Sequence, residues 1–74
     1  MPNKSTKDKI TALPETVSRR LFSYRELIKK GREVENYEFC KTLKDMCNEY
    51  CEGLRDAGML SRENAHEIWE YLTI

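Results

Sequence analysis

The chain has 74 residues, with 13 Lys and Arg balanced by 13 Asp and Glu, 39% hydrophobic residues and 35% charged ones. Below about 80 residues a single core rarely supplies more than about 3–5 kcal/mol unless disulfides, a metal or a partner chain add to it. A cleft that buries a substrate and excludes water is not expected on this scale, so the composition points away from an enzyme and toward a small protein that binds.

The chain opens on MPNKSTKDK, polar and Lys-rich, with none of the apolar stretch a secretory signal needs. Residues 1–9 are therefore expected to form a flexible polar tail or one frayed turn, and residues 10–74 a single helical domain. No run of apolar residues is long enough for a membrane span. Three cysteines, an odd number, do not make a disulfide framework. Free thiols at Cys40, Cys47 and Cys51 and a cytoplasmic location, with no membrane contact, are the expectation.

From Leu13 the apolar positions Leu13, Val17, Leu21, Tyr24 and Ile28 recur at helical spacing. Pro14 suits the first turn of this helix, and Gly31 is expected to stop it in the left-handed conformation. Asn36 is the predicted N-cap of a second helix whose face runs Cys40, Leu43, Cys47, Tyr50, Leu54 and Ala57, with Gly58 as its stop. Gly53 inside it either admits a close neighbour or is tolerated at a cost of about 1 kcal/mol relative to Ala. Ser61 caps a third helix with Ala65, Ile68, Trp69 and Leu72 inward, and Leu60 and Ala65 stand where a hydrophobic staple forms. Without alternating β-branched runs or hairpin signals, the chain reads as an all-α, small three-helix domain: two antiparallel helices and a shorter third.

Phe39, Met46 and Cys51 widen the stripe of the second helix beyond a two-position seam. A shorter third helix does not reach along all of it. Completion by dimerisation follows as an expectation, with Phe39, Met46, Cys47 and Tyr50 as the self-association residues.

Charge sums to zero and is unevenly placed. Through residue 32 the balance is +6, from Lys4, Lys7, Lys9, Arg19, Arg20, Arg25, Lys29, Lys30 and Arg32 against Asp8, Glu15 and Glu26; the remainder carries −6. A basic helix lying on acidic neighbours accounts for this, and so does a cationic face for a partner. Arg side chains and an exposed aromatic make good anchors, which places the candidate partner-binding residues at Arg19, Arg20, Phe22 and Arg25. Phe22 lies off the buried stripe, either as an exposed anchor or under the N-terminal segment.

Within residues 14–31, PETVSRRLFSYRELIKKG, the E-T-V-S-R run followed by periodic Leu resembles the recognition helix of the catabolite-activator family of winged-helix regulators. The resemblance implies that Glu15, Ser18 and Arg19 would face base edges in a major groove. It covers under a quarter of the chain, and the family's preceding helix and following wing have no counterpart in the sequence. A DNA-binding regulator using the basic residues 4–32 is thus the alternative to a protein that binds protein.

Other chemistry finds less support. Cys40 and Cys47, seven residues apart, are separated by about 10.5 Å along a helix, too far for one zinc ion with Zn–S near 2.3 Å. Cys47, Cys51 and His66 lack a second ligand pair, so no metal or cofactor is expected, and the cysteines read as small buried hydrophobes. Gly31, Gly53 and Gly58 are too scattered for a phosphate loop. The function read from the sequence is that of a small non-enzymatic regulatory or adaptor protein, a homodimer meeting another protein.

Overall fold

The computed structural model describes residues 5–74, and the start of the polar tail, Lys4 included, lies outside them. The described residues form four helices and no strand: α1 (Thr6–Thr11), α2 (Glu15–Glu33), α3 (Tyr37–Asp56) and α4 (Arg62–Thr73). The fold is all-α, with one helix more than the periodicity predicts.

The additional helix is α1, which takes in the part of the polar tail expected to be flexible. Ser5 caps it by accepting a hydrogen bond from the Asp8 amide at 3.2 Å, the job of a Ser three residues ahead of an acidic side chain. Ile10 is fully buried, and Lys9 reaches Glu67 at 2.5 Å and the Asn64 side-chain oxygen at 3.3 Å, both on α4. One buried Ile and one anchored Lys thus hold a six-residue helix too short to persist alone.

Pro14 is the N-cap of α2, and its carbonyl accepts the Ser18 amide at 2.9 Å. α2 then buries Leu21, Tyr24, Ile28 and Gly31. Its end differs from expectation. The helix runs through Gly31 to Glu33, and the left-handed residue is Glu35, with φ 57°. The Glu35 amide donates to the Arg32 carbonyl at 3.0 Å and the Asn36 amide to the Gly31 carbonyl at 2.8 Å, the two bonds of a Schellman ending. Gly31 serves a different purpose. A Cβ there would stand 2.7 Å from the Cys40 sulfur and 3.2 Å from a Phe39 ring carbon, so the missing side chain lets α3 close onto α2.

Asn36 caps α3 by accepting the Phe39 amide at 3.2 Å. α3 lies antiparallel to α2: the Cys40 thiol donates to the Ile28 carbonyl at 3.4 Å, and Tyr50 meets Tyr24 with ring centroids 6.1 Å apart. The end of α3 repeats the Schellman pattern with a glycine. Gly58, φ 79°, donates to the Arg55 carbonyl at 3.0 Å and Met59 to the Leu54 carbonyl at 2.9 Å. The turn brings in α4, capped by Ser61 accepting the Asn64 amide at 3.1 Å.

α4 crosses both long helices on one side of the hairpin and buries Ala65, Ile68, Leu72 and Thr73. Trp69, expected inside, is half-buried, and its indole N–H donates to the Lys44 carbonyl on α3 at 3.2 Å. The last carbonyls of α4 are met by α2: Arg25 donates to the Tyr71 carbonyl at 2.6 Å, and Arg32 donates to those of Thr73 and Ile74. α4 has no basic residue in its own last turn, so α2 supplies the positive charge that a helix C-terminus favours.

Candidate functional site

Geometry separates the two faces of the α2–α3 hairpin. At about 100° per residue, the α2 positions toward α4 are Leu21, Arg25, Ile28 and Arg32, and the α3 positions are Lys44, Cys47, Asn48 and Cys51. The polar contacts of α4 with Arg25, Arg32 and Lys44 fall on that side. The opposite face presents Arg20, Ser23, Leu27 and Lys30 from α2, and Phe39, Thr42, Met46, Tyr50 and Gly53 from α3. Among the described residues nothing covers it. Leu27 is 41% exposed, Phe39 40% and Met46 46%, and a Cβ added at Gly53 would meet no atom within 4 Å.

Tyr50 is half-buried at the centre of this face. Its ring lies beside Tyr24, and the Arg20 guanidinium sits over it, 4.8 Å from the centroid and 6.0 Å from that of Tyr24. Tyr24 chiefly, with Tyr50 adding to it, raises the Arg20 pKa above its ordinary value. Arg20 thus remains a cation over the centre of the face. Arg19, paired with Glu15 on the same helix, lies beside it with Thr16 and Ser23 around a shallow depression.

The residues singled out in the sequence therefore divide. Phe39, Met46 and Tyr50 share the bare face with Arg19 and Arg20. Cys47 does not: it is 0% exposed, enclosed by its own chain between α2, α3 and α4, and corrects its assignment to self-association. The neighbouring Cys51, with burial adding to it, pushes the Cys47 thiol above its ordinary value, so it stays neutral. Arg25 corrects likewise. Its guanidinium is spent on the Tyr71 carbonyl and stacks 4.1 Å from the Tyr71 ring centroid, on the side of α4. Phe22 is half-buried against the core rather than an exposed anchor. Leu27 was missed. It falls seven residues after Arg20, and that spacing repeats a helical face.

A second concavity, about 220 Å³, lies between α3 and α4 and is lined by Cys51, Arg55, Arg62, His66 and Trp69 among others. His66 is engaged there, bonded to Glu70 at 2.5 Å and stacked on Trp69. Its volume falls short of the roughly 300–1,000 Å³ of ligand pockets. All three cysteines are free and buried, and among the described residues no three His, Cys, Asp or Glu side chains converge to hold a metal ion.

No protein family, curated protein or solved structure matches this chain. The reading of the site therefore rests on its own geometry. For the DNA-reading resemblance, α1 is the helix that precedes α2, but among the described residues there is no strand to build a wing. Ser18 is half-buried and Glu15 is paired with Arg19. No helix is long and apolar enough to cross a membrane among the described residues.

Proposed function

We propose that this protein is a small non-enzymatic regulatory or adaptor protein that acts by protein–protein contact, and that it associates with a second copy of itself through the α2–α3 face. One observation carries the reading: Leu27, Phe39 and Met46, from two different helices, are each about two-fifths exposed or more on the one side of the hairpin that α1 and α4 leave open. Single exposed apolar residues are ordinary, whereas a contiguous set with an Arg and a half-buried Tyr at its centre is the composition of an interface. Self-association predicts a mass near twice 8.8 kDa in light scattering. Met46→Glu is expected to return it to the monomer mass with helical content unchanged, because Met46 is outside the core. A wild-type monomer at millimolar concentration contradicts the reading.

The alternative, a DNA-binding regulator, is favoured by Arg19, Arg20, Lys29 and Lys30, which are exposed cations on α2. Three other cations of the basic half, Lys9, Arg25 and Arg32, are bonded to α4 instead. This reading predicts a mobility shift at low salt that weakens steeply as salt rises.

A further inference from the structure

On the covered side of the hairpin, away from the bare face, Cys47 and Cys51 stand one turn apart on α3 as free thiols, 0% and 2% exposed. The third cysteine is differently placed. The Cys40 thiol donates to the Ile28 carbonyl at 3.4 Å, whereas among the described residues no carbonyl accepts from Cys47 or Cys51. At i and i+4 on a helix their Cβ atoms are about 5–6 Å apart. A disulfide needs about 3.5–4.5 Å between Cβ atoms, so the two sulfurs are not joined directly unless the helix bends. A single ion between them needs no bend: metal–thiolate bonds near 2.3 Å put the sulfurs of a linear pair about 4.6 Å apart, within reach of two side chains on one helical face.

We propose that Cys47 and Cys51 form a two-coordinate site for a soft monovalent cation, copper(I). No third His, Cys, Asp or Glu converges with them among the described residues. Two thiolates suffice for a soft cation, whereas a structural zinc takes four ligands. The way in is the concavity of about 220 Å³ between α3 and α4, which Cys51 lines, with Cys47 one turn behind it. As each sulfur bonds the ion, its thiol proton passes to solvent, and the bis-thiolate complex carries one negative charge. Arg55 and Arg62 line the same concavity from α3 and α4, against one carboxylate, Glu52. Arg55 also has Asp56 at 3.6 Å, while Arg62 makes no ion pair among the described residues and is the cation left to face that charge. The site lies on the side that α4 covers, so it is independent of self-association.

Anaerobic titration of the folded, reduced chain with copper(I) held by a chromogenic chelator tests the site. One copper per chain is expected to leave the chelator, with helical circular dichroism unchanged on loading. X-ray absorption of the loaded wild-type chain is expected to show two sulfur neighbours, a readout that needs no variant. Cys47→Ala and Cys51→Ala should each abolish the withdrawal of copper, and Cys40→Ala should leave it as in the wild type. No copper withdrawn, loss of helicity on loading, or three sulfurs around the metal would each overturn the site. So would a Cys40→Ala chain that stays helical and loses copper as fully as the other two.

Discussion

On the side of the hairpin toward α4, Leu21, Ile28 and Cys47 are at most 1% exposed, while on the opposite side Leu27, Phe39 and Met46 retain 40% or more of their surface. The same two helices make both faces, and apolar residues, a leucine on each among them, stand on both. The difference is the covering. α4 has 12 residues against the 20 of α3, and it occupies one side together with α1. A short chain with long amphipathic helices has enough apolar surface for two contacts and enough chain to shield one.

The largest effect that sharpens this contrast comes from truncating each face in turn. Leu21→Ala is expected to cost about 3–5 kcal/mol at any protein concentration, because a fully enclosed side chain leaves a cavity, a loss comparable to the whole stability of so small a core and read as lost helical circular dichroism in water. Met46→Ala is expected to cost under about 1 kcal/mol in dilute protein, as surface changes do, with the penalty growing as concentration rises and a partner would bind. Equal penalties at every concentration would erase the distinction between the faces.

Glycines test the same contrast on a smaller scale. At Gly31 a Cβ would press on Cys40 at 2.7 Å, and at Gly53 it would meet open space. Gly31→Ala should destabilise by about 1–3 kcal/mol through overpacking. Gly53→Ala should stabilise by about 0.5–1 kcal/mol, since Ala favours the helix interior and nothing stands in its way. A drop in melting temperature for Gly53→Ala would show that the bare face is not bare.

The two Schellman endings offer a last prediction, of similar size. Gly58 occupies the left-handed position after α3, and Glu35 occupies the same position after α2. For a non-glycine residue that conformation costs about 1–2 kcal/mol. Glu35→Gly should therefore stabilise the fold by a net of under about 1 kcal/mol after the entropy of the unfolded glycine is counted, and so raise the melting temperature.

Much of the secondary structure was legible in the residues. Asn36 and Ser61 cap as their side chains predict, the face Cys40, Leu43, Cys47 and Leu54 is the buried one, with Tyr50 half-buried and Ala57, predicted on it, exposed at the C-cap, and Gly58 ends α3. These are local properties, set by spacing and by hydrogen bonds within a turn. α1 was legible in part, since Ser5 and Asp8 spell a capping signal. Its stability comes from Ile10 and from Lys9 reaching Glu67, a contact 58 residues away. The site divided in the same manner. Phe39, Met46 and Arg20 follow from helical spacing, but Cys47 and Arg25 follow it equally well and are taken up inside the chain.

By itself, then, the sequence determined the three longer helices, how most of them begin, and which stripe of each is apolar, because 3.6-residue periodicity and capping operate within a few residues. Only the tertiary structure decided which side α4 would cover. That choice consumed Arg25, Arg32 and Lys9 as anchors for α4, while the packing of α3 on α2 made Gly31 a point of close approach rather than a helix stop. Periodicity names the greasy face of a helix, but how much of it stays in contact with water depends on the length and direction of neighbours far away in the chain.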